Sequence, residues 1–278
     1  MGSNLEKFFF QMGARVKLVE VAPARTGWRR LDSRGEDVRV VLDIRRDKHG
    51  TFFEVRTLVG TNQELLVLNA QPRKKHLLLL SRQFDESGKL QAKQKFLCGL
   101  DEGHWFVAAI PENEPVSTVA GAQIALKPAE VRGREEALGV SRKESFRRKN
   151  AAFVRQGEWF FIPSRGIEAD PMRLLRNEPL SRGNGSKPHW AEECYRAGGE
   201  TVYVSTKYPG GLRSAEYNGL PEKERKFGFR MMKRDATVYV RGEITHRDHK
   251  TVYLKDWHRV LMNTENRSMA MRFLAFLD

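Results

Sequence analysis

Histidine and aspartate side chains gather around one predicted turn late in the sequence. His246, Asp248 and His249 lie in the segment HRDHK, and His258 follows on the next apolar run. Two imidazoles three residues apart in a tight turn can bind one metal ion, and further ligands can leave an open position for water. The spacing predicts a divalent-metal site at His246, His249 and His258. The alternative is a polar turn followed by a packed histidine beside Trp257.

A second group of proton-carrying side chains follows Pro188. The segment HWAEECYRAGG contains many helix formers and ends at two glycines, so it predicts a short helix. On such a helix His189 and either Glu192 or Glu193 would share one face, where the carboxylate could orient the imidazole as a base. Carboxylates that only interact with the helix dipole are the alternative.

Lysine and arginine alternate with aromatic residues in several stretches. Phosphates attract cations, and unpaired bases stack on aromatic or guanidinium planes, so this pattern favours nucleic-acid binding. The predicted contact residues of the densest stretch are Lys223, Arg225, Lys226, Phe227, Phe229, Arg230, Lys233 and Arg234. Further predicted contacts are Tyr239, Arg241, Tyr253, Arg142, Lys143, Arg147 and Arg148. An amphipathic helix with solvated charges is the alternative for the densest stretch.

The overall charge favours the same class of partner. The 278 residues include 49 Lys and Arg against 35 Asp and Glu, which gives a formal net charge of +14. A field of this sign attracts polyanions such as RNA and DNA. No RNP, KH or zinc-finger signature is present, so the predicted contacts are largely to the nucleic-acid backbone.

These patterns predict a protein that binds RNA or single-stranded DNA, such as a subunit of a ribonucleoprotein or defence complex. One alternative is a metal-dependent nuclease or phosphotransfer enzyme that uses the histidines between residues 246 and 258. Another is a structural or protein-interaction subunit of a larger assembly. A divalent metal is expected only for the enzyme, and no cofactor is expected for a nucleic-acid-binding protein or a structural subunit.

Cysteine content and hydropathy indicate the compartment. Only Cys98 and Cys194 are present, which argues against a disulfide scaffold and fits a reducing environment. No stretch approaches the roughly 20 apolar residues that a membrane span requires. We therefore predict a cytoplasmic protein without a membrane partner.

The elements that must position these residues are mostly strands. Residues 236–263 read as a β-hairpin, because Val238, Val240 and Ile244 alternate with polar residues before the turn and Val252 and Leu254 alternate with them after it. Short β-rich runs separated by turn residues also fill the first part of the chain. They predict antiparallel pairing.

The predicted fold class is α+β, with mostly antiparallel sheets or small barrels in two units joined by a helical segment. The predicted divisions are a strand-rich domain at 1–114, a helical connector at 115–150 and an α+β domain at 151–278. Further helices are expected near His189 and Pro221.

Overall fold

Short β-rich runs separated by turn residues recur along the chain, and strands accordingly dominate the structure. The computed structural model describes residues 2–21, 40–181, 187–226 and 228–265. Strands account for 51% and helices for 18%, mostly in antiparallel sheets, which confirms the predicted α+β class. The four sheets formed by the described residues are open, so sheets and not closed barrels are found.

Contacts divide the described residues into two units, 2–132 with 263–265, and 133–262. The first unit contains two sheets, with strand orders β1-β3-β2 and β4-β5-β6-β7, and β1 runs parallel to β3. A 3-10 turn, Pro72–Lys74, joins β4 to β5. The elements are α1 (Gly2–Gln11), β1 (Val16–Val21), β2 (Val40–Asp47), β3 (Gly50–Leu58), β4 (Asn62–Gln71), β5 (His76–Phe84), β6 (Leu90–Asp101), β7 (His104–Ile110) and α2 (Val119–Ala125), followed by α3 (Ala129–Ala137), whose last residues belong to the second unit.

The second unit contains a six-stranded sheet, β10-β11-β15-β16-β9-β8, and a three-stranded sheet, β13-β12-β14. A 3-10 turn, Pro171–Arg173, precedes β10. The elements are α4 (Arg142–Ser145), β8 (Val154–Gln156), β9 (Trp159–Pro163), β10 (Leu175–Leu180), β11 (His189–Ala197), β12 (Glu200–Val204), β13 (Leu212–Arg213), α5 (Ser214–Asn218), α6 (Glu222–Arg225), β14 (Arg230–Arg234), β15 (Thr237–His246) and β16 (His249–Met262).

Helix α1 packs on the core of the first unit through one face. Leu5 and Phe9 are four residues apart, so they share a face, and both are buried. The Phe9 ring lies 4.8 Å from the ring of Phe53 in β3. Burying side chains of this size stabilises a fold by about 1.5–3 kcal/mol each. Phe10, on another face of the helix, is 81% exposed.

The helices predicted within 115–150 are present as α2, α3 and α4. Thr118 caps α2 by accepting a hydrogen bond from the Gly121 amide at 3.0 Å, and Ser141 with Glu144 forms a capping box at the start of α4. Whether 115–150 acts as a separate connector stays a prediction. No helix within the described ranges combines the length and apolar character required to cross a membrane.

The predicted hairpin of residues 236–263 is confirmed as β15 and β16. Val240, Ile244 and Leu254 point into the core of the six-stranded sheet, and each is at most 1% exposed. The strands close at the register pair His246 and His249, which leaves two residues in the turn. Apolar alternation therefore determines which face of the hairpin is buried.

The helix predicted after Pro188 is wrong, because this segment forms strand β11. Its burial alternates, with His189 and Ala191 on the buried face and Trp190 on the exposed face. Pairing with β10 on one side and β15 on the other satisfies the backbone and outweighs the helix propensity of the segment. His189 and the two glutamates consequently share no helix face.

The basic stretch from Lys223 to Arg234 is not one amphipathic helix. Helix α6 starts after Pro221, as predicted, but ends at Arg225. Gly228 has a positive φ of 55°, which L residues rarely adopt. The residues that follow pair with β12 as strand β14.

Candidate metal centre

Three neighbouring strands bring three histidines side by side on the buried face of the six-stranded sheet. His189 begins β11, and the pairing of Trp190 with Thr245 sets His189 opposite His246 at the end of β15. His246 pairs in turn with His249 at the start of β16. We call His189, His246 and His249 the histidine trio. Cross-strand register therefore creates this site.

The rings of the trio are in contact. The His246 ring centroid lies 4.2 Å from that of His189 and 4.6 Å from that of His249. One nitrogen from each ring lies within 4.8 Å of the others. Two nitrogens on one tetrahedral zinc ion lie roughly 3.3 Å apart, because each is about 2.0–2.1 Å from the ion. Side-chain rotations that bring the nitrogens closer by about 1.5 Å at most would therefore complete the ligand set.

The turn between β8 and β9 covers the trio. Gln156 is buried, and its Oε1 lies 2.8 Å from Nδ1 of His189. Glu158 Oε2 lies 3.6 Å from His189 Nε2. The Glu158 carboxylate therefore lies beside His189 Nε2, whereas Gln156 contacts Nδ1 of the same ring.

Gly157 allows this turn to approach the rings. It has a positive φ of 57°, and a Cβ built there would lie 2.8 Å from His249 Nε2 and 3.2 Å from His189 Cε1. Real Cβ contacts essentially never fall below 3.0 Å. Both the backbone conformation and the space at this position therefore require glycine.

Burial and mutual repulsion keep His246 neutral. Burial is the largest cause that lowers its pKa from 6.5 to about 4, and the His189 and His249 rings act in the same direction, against the opposing effect of Asp248 and Glu158. His246 Nδ1 accepts a hydrogen bond from the Asp248 amide at 3.1 Å, and Asp248 forms an ion pair with Lys187. At neutral pH the His246 ring is therefore uncharged, and a metal ion that bound its lone pair would have to displace the Asp248 amide.

The donor set suits a transition metal. Neutral imidazoles favour zinc, copper, iron and nickel, whereas calcium and magnesium prefer oxygen ligands. Three neutral ligands would not offset the charge of a divalent ion, and they would leave a fourth coordination position open for water or for Glu158. The arrangement can therefore activate water.

His258, which the sequence grouped with His246 and His249, lies elsewhere. It follows His249 by nine residues on β16, which corresponds to roughly 30 Å along a strand. Its register partners are Val240 and Pro163, and its Nδ1 lies 2.7 Å from the Asp256 carbonyl oxygen. Burial lowers the pKa of His258. The third ring of the trio is instead His189.

Several predicted nucleic-acid residues have intramolecular partners. The Arg241 guanidinium lies 2.6 Å from the Glu193 carboxylate and 4.7 Å from the Trp257 ring centroid. Arg234 contacts Glu200 at 2.5 Å. Further contacts join Lys226 to Glu222 at 3.5 Å and Lys233 to the Thr201 hydroxyl at 2.8 Å. These contacts compete with phosphate for the same cations.

Other predicted contacts are more accessible. Lys223, Arg225 and Arg230 are exposed, and their side chains have no ion pair within the described part of the chain. Arg142, Lys143 and Arg147 are exposed on or just after α4, whereas Arg148 is half-buried.

Of the predicted aromatic contacts, the Phe229 ring packs 5.0 Å from the Tyr217 ring. Phe227 lies outside the described residues. Tyr253 is 70% exposed on β16, and Tyr239 is half-buried on β15.

Comparison with known proteins gives no relative for this chain. No protein-family model matches it, and no curated protein or solved structure matches it.

Replacing Gly157 by alanine tests the packing of the turn against the trio. We expect Gly157→Ala to lower the free energy of unfolding by about 1–2 kcal/mol for the left-handed backbone, plus about 1–3 kcal/mol for the contact with His249. Gly139→Ala is the control, because Gly139 has a similar φ of 61° and a Cβ there would meet nothing within 4 Å. Chemical denaturation measures both variants. Equal losses would contradict the close packing at Gly157.

The pKa of His246 predicts how stability depends on pH in the metal-free protein. Its pKa is about 4 when folded and 6.5 ordinarily, so the unfolded state binds a proton first as the pH falls. Stability should therefore decrease between pH 6.5 and pH 4, by about 1–2 kcal/mol because the partly solvated ring is screened. Denaturation curves of His246→Asn should lack this part of the decrease. If His246→Asn kept the pH dependence of the wild-type protein, the close packing of the His246 ring would be contradicted. The control is His49→Asn, at an exposed turn.

Proposed function

We propose that this protein is a metal-dependent hydrolase whose divalent transition-metal ion is held by the histidine trio. The observation that carries the proposal is the position of His189, His246 and His249 on three hydrogen-bonded strands, with nitrogens within 4.8 Å of one another. An ion held by three neutral imidazoles retains a position for water and lowers the pKa of that water toward 7. Hydrolysis is the reaction that such a centre supports most directly.

Glu158 is the group that we assign to the attacking water. Its carboxylate lies 3.6 Å from the ligand nitrogen of His189, and its side chain is 19% exposed. It can accept the proton of the water as the water oxygen bonds to the reacting atom. The proton then passes to the leaving oxygen when its bond to that atom breaks, so the carboxylate is regenerated.

The charge of the chain supports a phosphodiester of nucleic acid as the substrate. A net charge of +14 attracts polyanions and raises their local concentration. Two exposed cations lie close to the trio. Arg247 directly follows His246, and Lys187 forms an ion pair with Asp248. In this reaction water adds to phosphorus, and the bond from phosphorus to the leaving nucleoside oxygen breaks.

Variants of the trio test the proposal. After removal of metal and dialysis against zinc, manganese or nickel, the wild-type chain should retain one ion and cleave single-stranded RNA or DNA. His189→Ala, His246→Ala and His249→Ala should lower metal affinity by at least about 100-fold and abolish cleavage, because each removes a ligand. His49→Ala and His104→Ala are controls at exposed positions. Elemental analysis and gel-based cleavage assays measure the two effects.

The outcomes separate the parts of the proposal. Wild-type protein that retains no metal, with trio variants that behave like it, would exclude the metal centre. Stoichiometric metal without cleavage of either nucleic acid would leave the metal centre and exclude the nuclease activity.

We propose binding of single-stranded nucleic acid as a second function. It is favoured by three exposed cations, Lys223, Arg225 and Arg230, that have no ion pair among the described residues and lie on or beside α6 and β14. The three cations can neutralise phosphates without first breaking an internal ion pair.

Charge reversal tests this surface. Replacing Lys223, Arg225 and Arg230 together by glutamate should weaken binding of single-stranded RNA and reduce the slope of log affinity against log salt by about 2, because three phosphate contacts are lost. Fluorescence anisotropy at several salt concentrations measures both quantities. The control reverses the same charge at Arg46, Lys48 and Lys89, exposed residues of the first unit. Equal effects of both triple variants would indicate attraction by net charge alone and exclude a surface at α6 and β14.

A further inference from the structure

Gln156 makes three hydrogen bonds at the end of β8, and their chemistry fixes the orientation of its amide. The amide nitrogen donates to the carbonyl oxygens of Ile244 at 3.0 Å and Lys250 at 2.7 Å. Because a carbonyl oxygen only accepts, both N–H groups must face the two carbonyls. The amide oxygen is therefore left for His189, and Gln156 cannot flip without losing two hydrogen bonds at a position that is 2% exposed.

This orientation determines which nitrogen of His189 carries the proton. Gln156 Oε1 only accepts, and it lies 2.8 Å from His189 Nδ1, so Nδ1 must be the donor. A neutral imidazole has one proton, which leaves the lone pair on Nε2. That nitrogen faces Glu158 at 3.6 Å.

Gln156 also joins His189 to the two strands that carry the other rings. Its carbonyl partners lie two residues before His246 on β15 and directly after His249 on β16. The register of β15 and β16 shifts between Ile244 and His246, so the amide bridges the ladder where its pairing is irregular. One side chain therefore couples the orientation of His189 to the positions of His246 and His249.

We propose that Gln156 is the positioning residue of the histidine trio, which holds His189 as its Nδ1–H tautomer with the Nε2 lone pair directed to the metal. The metal part of this inference rests on the proposed function; the tautomer does not. Histidine ligands in metal sites are commonly oriented by a partner on the other ring nitrogen. A carboxylate at this position would oppose the two carbonyl oxygens, whereas an amide satisfies all three neighbours.

Nitrogen NMR of the full metal-free chain tests the tautomer first. With 15N-labelled histidine at pH 8, His189 should show a protonated Nδ1 and an unprotonated Nε2, assigned by comparison with His189→Ala. The opposite tautomer in the wild-type protein would overturn the inference, whether or not the protein binds metal.

Two substitutions then separate positioning from a purely structural role. Gln156→Leu removes the acceptor and should abolish the fixed tautomer and weaken zinc binding by about 10–100-fold. Gln156→Glu keeps an acceptor for Nδ1–H but loses both donors, so it should lower the unfolding temperature yet preserve the tautomer and most of the zinc affinity. The control is Gln63→Leu, at a part-buried glutamine that donates a hydrogen bond to Ser81 in the first unit. It should change neither the His189 tautomer nor the zinc affinity.

The results distinguish this inference from the proposed function. If wild-type protein binds no zinc, the metal centre fails and the NMR tautomer still decides the role of Gln156. If zinc binds and Gln156→Leu retains both wild-type affinity and the His189 tautomer, the positioning role is overturned and the metal centre stands. Equal loss of affinity and tautomer in the leucine and glutamate variants would show that Gln156 acts only by bridging the strands.

Discussion

The cross-strand register of β11, β15 and β16 is the constraint on which the candidate metal centre depends. Side chains alternate between the two faces of a sheet, so a shift of one residue would move a histidine to the opposite face. The observed pairing sets His189, His246 and His249 in one row on the buried face. That register is in turn maintained by the apolar residues Ala191, Ile244 and Leu254, which are buried along the same face.

Packing the three imidazoles together disfavours protonation of His246. Charged rings at these distances would repel one another in a partly desolvated site, and burial together with this repulsion lowers the pKa of His246 to about 4. A neutral imidazole carries one lone pair, which a metal cation can bind in place of a hydrogen-bond donor. The close packing that disfavours a proton on His246 therefore suits this ring to a metal ion. Gly157 has no Cβ, which leaves room for the His189 and His249 rings beside the turn.

Local features were predictable from the sequence, whereas contacts between distant segments were not. The hairpin of residues 236–263 and the proximity of His246 to His249 follow from period-two alternation and one short turn. His189 could not be found this way, because it is 57 residues from His246 and lies in a segment whose helix propensity is overridden by pairing with two strands. Gln156 and Glu158 reach the site from even further along the chain. Charge patterning likewise predicted contacts at Arg234 and Arg241, which stay predictions, but gave no sign of their carboxylate partners.

Cobalt(II) reports whether the trio binds a transition metal with an open coordination position, because its visible absorption depends on coordination number. The metal-free protein is therefore titrated with cobalt(II) while its visible spectrum is recorded. We predict the intense d–d absorption of a four- or five-coordinate ion, saturating at one cobalt per chain and absent from His246→Ala. A spectrum that remains that of weakly coloured, six-coordinate aqueous cobalt at every ratio would contradict the account.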